Sequence, residues 1–227
     1  MLSLLCNLFK CMFLYNLLGC AYGANTFEKQ NINIKTIFRN TRLDDCKVDT
    51  IVLDLDKTLV DTTRNTMYNS KNYDSFCILN NTHKCFIRPG ARDFLKILKK
   101  MPVKVHLYTA GHLDYAVEII RYLDPHICIT KIYSRRHCIQ NIYGEYLKSI
   151  KYIGNTNKFL IIDDKKIYEK DENQYVFKIT PFSYKNPKFY KDKELFYILR
   201  MIQNVIKGRI TRKDAIKKYK IDKKFYC

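Results

Sequence analysis

Asp54 and Asp56 stand one residue apart at the end of the apolar run "TIVLDL" (residues 50–55), with Lys57 and Thr58 directly after them. Paired carboxylates are groups that hold cations and move protons. Like charges so close repel, so something nearby must offset them. A strand that merely ends in a polar turn is the plain alternative. Thr109 follows a second apolar run, "VKVHLY" (103–108), and Asp163-Asp164 follow a third, "KFLII" (158–162). Each set falls where a buried strand gives way to a loop, so the first pair is not alone.

The elements that must position these residues read as strands alternating with helices. "ICITKIY" (127–133) and "YVFKIT" (175–180) supply two further strands. After Pro89-Gly90, Phe94, Leu95 and Leu98 mark one helix face. Ala116, Ile119, Ile120 and Leu123 recur at i, i+3, i+4 and i+7 in a second helix, which "LDP" (123–125) ends. A third runs over about 192–205 with Leu195, Leu199 and Ile202 inward. The pattern predicts an α/β fold, a Rossmann-like parallel sheet with helices on both faces. Ligands bind such sheets at the carboxyl ends of the strands, where the acidic sets fall. Two short β-rich runs, 76–79 and 84–87, flank Asn80-Asn81 and predict a small β-hairpin insertion after the first strand.

The 227 residues suffice for one sizeable core with appendages, and 47% hydrophobic with 14% aromatic residues excludes a disordered composition. Three parts are expected: an apolar N-terminal segment and lead-in (1–44), one domain (45–206) and a basic C-terminal tail (207–227). Net charge is +19, and the tail holds nine Lys/Arg against Asp214 and Asp222, a net of +7. That balance suits an anionic partner, an anionic membrane, nucleic acid or an acidic protein, or else a solvated tail. Nine cysteines, none as Cys-x-x-Cys, fit a reducing intracellular compartment. Residues 1–24 are apolar but broken by Asn7, Lys10 and Asn16. They read as a membrane attachment, a signal-like segment or a packed helix.

At the acidic sets the chain resembles the haloacid dehalogenase superfamily. Asp54-x-Asp56-x-Thr58 after an apolar strand matches its first motif. "YTAGHLDYA" (108–116), "LDP", "SRRHC" (134–138) and "IIDD" (161–164) are similar to the branch of RNA polymerase II C-terminal-domain phosphatases and their small relatives. The resemblance covers residues 50–200. It implies a Mg2+-dependent phosphoserine/phosphothreonine phosphatase with no nucleotide cofactor, acting on a phosphorylated protein. A nuclear location follows from it, with the endoplasmic reticulum or nuclear envelope if residues 1–24 anchor the chain.

The resemblance also implies the roles. Asp54 is the nucleophile that forms an aspartyl-phosphate, and Asp56 is the general acid and base. Asp54, the main-chain carbonyl of Asp56, Asp163 and Asp164 form the Mg2+ site, with Asp164 ligating and Asp163 supporting. Thr58, Thr109, the backbone at Ala110, Arg135 and Lys148 hold the substrate phosphate. Thr109 could instead cap the following helix, Lys151 competes with Lys148, and Arg136 competes with Arg135. Lys165-Lys166 departs from the small pair of relatives, and Phe182 stands nearest the place of their tryptophan. His106, inside a strand, reads as a hydrogen-bonded core residue. About 27 residues at the first cap position leave the site open, which suits a phosphorylated protein side chain. An inactive scaffold or tether of the same fold, or another phosphotransfer hydrolase acting on a nucleic-acid end or metabolite, remain as alternatives.

Overall fold

The computed structural model describes residues 48–68, 72–154, 158–165, 167–168 and 175–222. A five-stranded parallel sheet forms the centre, in the order β10-β9-β1-β5-β6. Its strands are β1 (Thr50–Leu53), β5 (Lys104–Tyr108), β6 (Ile129–Tyr133), β9 (Phe159–Asp163) and β10 (Val176–Lys178). All four residues of β1 and all five of β9 are buried, as expected of β-branched and aliphatic runs with both faces covered. Register is direct: Ile51 pairs with Val105 on one side and with Leu160 on the other.

Side chains alternate across this sheet. Ile51, Leu53, Leu107, Leu160 and Ile162 face the main core, together with Phe94, Leu98, Ala116, Ile119, Leu195 and Ile202. Those partners lie on α1 (Ala91–Leu98), α2 (Leu113–Leu123) and α3 (Glu194–Ile206). Val52, Tyr108 and Ile161 face the other way, against Tyr133, Ile150 and Tyr168, under the helical turn Ile150–Tyr152. After α2, the Asp124 carboxylate accepts from Cys128 N and Ile129 N, both at 2.7 Å, and so launches β6.

The insertion after β1 is richer than a hairpin. β2 (Val60–Thr63), β3 (Ser75–Ile78) and β4 (His83–Ile87) form an antiparallel sheet in the order β2-β4-β3. Asn80 and Asn81 take positive φ of 53° and 63° in its turn, as the sequence suggests. A further hairpin, β7 (Cys138–Gln140) with β8 (Tyr146–Lys148), was not foreseen.

The stretch after residue 206, expected as a basic tail outside the domain, packs on the main core over its described part. Helix α4 (Arg212–Asp222) buries Ala215, Ile216 and Tyr219 in the main core. Arg212 donates to Phe159 O at 2.7 Å, and its guanidinium lies 4.4 Å from the Tyr175 ring centroid. Three side chains on one face suffice because α3 and β10 are already there to receive them. The expectations for residues 1–24 and for Lys166 fall outside the described residues. Among the described residues no helix is long and apolar enough to cross a membrane. His106 meets Tyr133 edge to face at 5.8 Å, but its Nδ1 has no hydrogen-bond partner among the described residues, so it is not the satisfied histidine expected.

Candidate active site

The carboxyl ends of β1, β5 and β9 lie side by side. Asp54 stays in register through its N–H to Ile162 O at 2.9 Å, and the chain then turns sharply. Leu59 N and Val60 N both donate to Leu55 O, at 2.9 and 3.2 Å. Lys57 sits at φ 65°, a left-handed conformation uncommon for a lysine. Three contacts hold it there: its N–H to Val60 O at 2.6 Å, its carbonyl accepting from Phe182 N at 2.7 Å, and an ion pair with Asp61. Phe182 therefore braces the reactive turn from the segment before α3. Thr58 is fully enclosed, and its Oγ1 accepts from Asp164 N at 3.1 Å. It ties the β1 loop to the β9 loop.

Lys148 occupies the centre. Its Nζ donates to Asp54 Oδ1 and to Asp163 Oδ2, each at 2.6 Å, with all three side chains buried. The rings of Tyr108 and Tyr168 flank the ammonium at 5.7 and 5.6 Å from their centroids. Lys151 is exposed, so Lys148 is the lysine that reaches the carboxylates. Burial would lower its pKa, yet Asp163 and Asp54 together raise it, keeping the ammonium charged. One cation cannot satisfy two carboxylates. Burial and then Asp163 push the Asp54 carboxyl up to about 8 although Lys148 pulls it down.

Asp54, Asp163 and Asp164 each offer an oxygen within 4.8 Å of the others. Three carboxylates against one buried lysine leave a formal charge of −2. Asp54 Oδ2 is buried without a hydrogen-bond partner among the described residues. Asp163, by contrast, is engaged by Lys148, by Tyr168 OH at 3.2 Å and by Lys165 N at 2.8 Å. Burial and Asp163 raise Asp164 to about 6. An orphaned carboxylate oxygen and a charge deficit of two fit a hard divalent cation such as Mg2+.

Asp56 sits apart from this cluster. Tyr115 OH, from the first turn of α2, donates to its Oδ1 and lies 3.1 Å from Thr62 Oγ1. Burial raises the Asp56 pKa, with the Tyr115 hydrogen bond working against it. Thr109 Oγ1 accepts from Gly111 N at 2.9 Å, closing the turn onto itself, so it does not cap α2. Gly111 packs closely there: a Cβ would lie 3.1 Å from the Tyr115 ring and 3.2 Å from Thr109 Oγ1. Arg135 braces the same turn, its Nε donating to Ala110 O at 2.8 Å. Its Nη1 lies 2.9 Å from His112 Nε2, and its guanidinium stacks 4.8 Å from the Tyr146 centroid.

The structure thus brings Asp54, Asp163, Asp164 and Lys148 into one cluster, with Asp56 and Thr58 on the adjoining turn. Thr109, Ala110 and Arg135 build the neighbouring loop. Sequence reasoning missed Tyr115, Tyr168 and Arg88. Arg88 is fully buried and donates to Thr58 O at 3.2 Å, supporting the reactive turn from beneath. Only the place of Tyr115 inside the 108–116 motif could have drawn notice to any of them.

Residues 49–214 match the family model described as NLI interacting factor-like phosphatase. A CTD small phosphatase-like protein 3 of Caenorhabditis elegans is 30% identical over 119 residues, 51% of this chain and 41% of that protein. A probable C-terminal domain small phosphatase of Dictyostelium discoideum is 28% identical over 169 residues, 72% of this chain and 52% of that protein. The chain spans about half the length of these relatives. Among solved structures, the beryllium-fluoride-bound RNA polymerase II CTD phosphatase Fcp1 of fission yeast is 18% identical. That match has a TM-score of 0.47 and covers 82% of this chain and 56% of that one.

Proposed function

The chain belongs to the NLI interacting factor-like phosphatase family, and from that premise we propose that it is a Mg2+-dependent phosphoprotein phosphatase working through an aspartyl-phosphate. The observation that carries this reading is the buried cluster of Asp54, Asp163, Asp164 and Lys148, with its orphaned oxygen and its formal charge of −2.

Asp54 attacks the phosphorus of a phosphoserine or phosphothreonine. An Asp54 Oδ–P bond forms as the bond from phosphorus to the side-chain oxygen breaks. Asp56 delivers a proton to that leaving oxygen, and its raised pKa favours the protonated form this step needs. Asp56 then takes a proton from water, which attacks phosphorus, frees phosphate and restores Asp54. Tyr115 holds the Asp56 carboxyl in place through both turns. Lys148 keeps a positive charge against Asp54 and beside the incoming phosphate. Asp54, Asp164 and the Asp56 main-chain carbonyl would hold the Mg2+, with Asp163 supporting. When bound, the ion supplies the positive charge that lets an anionic carboxylate approach an anionic ester.

The insertion is a three-stranded sheet and the 138–148 hairpin is short, so neither is a lid-sized domain. A site that no lid-sized domain covers among the described residues accepts a side chain presented by a protein better than it encloses a metabolite. Hydrolysis of p-nitrophenyl phosphate and of a phosphoserine peptide, with and without Mg2+, tests the reading. Release of phosphate from both, lost on chelation, is expected. Metal-independent hydrolysis, or none, refutes it.

A further inference from the structure

A cavity of about 580 Å3 opens between the turn Pro187–Lys191, the first half of α3 and Tyr219 of α4. Its floor is aromatic: Phe189, Phe196, Tyr197 and Tyr219. Each ring is held. Phe189 meets Phe182 edge to face at 5.6 Å, and Tyr197 stacks on Tyr219 at 6.0 Å. Phe196 lies on Gly90, where a Cβ would come within 2.6 Å of its ring. A floor fixed in advance loses little freedom when something binds it.

The rim is cationic. Lys188, Lys191, Lys193 and Arg200 line the opening, all exposed, and none has an ion-pair partner among the described residues. The two carboxylates in the wall are already engaged. Asp192 accepts from Arg88 Nε at 2.6 Å and Glu194 from Arg88 Nη2 at 2.8 Å. Four uncompensated cations therefore face whatever enters. Lys193, at the N-cap of α3, and Arg200 within it are seven residues apart, about 10 Å along the axis. That separation exceeds one carboxylate or phosphate and matches about three residues of an extended chain.

We propose that this cavity docks an extended acidic segment of a protein partner, with one aromatic or large aliphatic side chain inserted among Phe189, Phe196, Tyr197 and Tyr219. Aromatic anchors ringed by charge are the usual composition of interface centres. Single-stranded nucleic acid fits less well. It stacks bases on presented ring faces, whereas only Phe196 is exposed here, Phe189 and Tyr197 are half-buried and Tyr219 is buried. The docking stands whether or not the chain hydrolyses phosphate.

The probe is a fluorescein-labelled, unphosphorylated peptide of alternating Glu and Asp around one Phe, titrated by anisotropy against the full chain at physiological salt. Saturable binding is expected. Lys191→Glu with Arg200→Glu should weaken it at least about tenfold, as should Phe→Ser in the peptide. Lys213→Glu with Lys217→Glu applies the same charge change on exposed positions of α4 outside the cavity, and should leave binding within about twofold. The melting temperature of each variant confirms that it is folded. No saturable binding overturns the proposal. Insensitivity to the peptide Phe reduces the effect to attraction toward a chain of net +19, and equal loss in both double variants does the same. Tighter, groove-dependent binding of an oligouridylate would assign the cavity to nucleic acid instead.

Discussion

Two buried charge clusters flank the same turn at residues 54–59, and they are built on opposite terms. On one side Arg88 spends every arm. Its Nε reaches Asp192, its Nη2 reaches Glu194, and its Nη1 donates to Thr58 O and Thr180 O. Glu194 then accepts from Thr180 N and from Tyr219 OH, and Asp192 from Glu194 N at 2.8 Å. On the other side Lys148 divides itself between Asp54 and Asp163 and leaves Asp54 Oδ2 with nothing among the described residues. Both cations are fully enclosed and their carboxylate partners differ little, at 9% and 12% exposed against 6% and 1%, so burial alone does not separate scaffold from site. Completeness does. A saturated cluster can only hold the fold, whereas a cluster missing a cation and a hydrogen-bond partner is poised to take one up.

Exchanging one group on each side breaks the comparison most sharply. Asp54→Asn removes the attacking carboxylate while keeping its shape, so turnover of p-nitrophenyl phosphate should fall at least about 10³-fold. Its melting temperature without Mg2+ should stay within roughly 4 °C of the wild type, because a repulsive carboxylate is lost along with one Lys148 contact. Residual activity of more than a few per cent would remove Asp54 from its role. Arg88→Met should show the reverse. Two largely enclosed carboxylates lose their arginine, and stability to urea should drop by about 3–5 kcal/mol. The folded fraction should still hydrolyse substrate. A stable but inactive Arg88→Met would place Arg88 in the chemistry and erase the distinction.

The two sides also differ in how far the sequence disclosed them. Asp54, Asp56, Asp163 and Asp164 were legible because short motifs end strands whose apolar runs are unmistakable, and a parallel sheet brings such ends together. Lys148 was legible only through the resemblance. Arg88 was silent: its partners lie 104 and 106 residues away, with no local pattern to connect them. Tyr115 lies 59 residues from Asp56 and looks like one more aromatic on a helix face. Helix α4 did carry a signal that was undervalued. Thr211 Oγ1 accepts from Asp214 N at 3.1 Å, a capping pattern that opens the helix, with Ala215, Ile216 and Tyr219 on its inner face. The 138–148 hairpin carried a weaker one, Gly144 at φ 79° between alternating runs.

Tyr115 offers a finer test, since it belongs to neither cluster and its hydroxyl meets Asp56, the proton carrier, and Thr62. Tyr115→Phe keeps the ring and removes the hydroxyl that holds Asp56 Oδ1. A misplaced acid delays proton delivery without loosening substrate, so kcat should fall by about tenfold with KM within about twofold. The loss should be larger for phenyl phosphate than for p-nitrophenyl phosphate, whose leaving oxygen needs less protonation. Equal losses on the two esters would mean that Tyr115 only supports the fold.

The smallest effect concerns the unbalanced cluster before its cation arrives. Asp54 is raised to about 8 and Asp164 to about 6, both from 3.8, with burial the first cause of each. A carboxyl whose folded pKa lies above its unfolded value binds its proton more tightly in the folded state. The stability it lends is complete below about pH 4 and is lost as pH climbs through 6 and then 8. Mg2+ must displace those protons, so it binds better over the same window in which the metal-free protein weakens. The Mg2+-induced rise in melting temperature should therefore be greater at pH 8 than at pH 6, by roughly 2–4 °C for each kcal/mol gained. Asp54→Asn should flatten that slope, and the Arg88 side should contribute none of it. A rise that is the same at both pH values, or larger at pH 6, would mean that the cluster is already balanced without its ion.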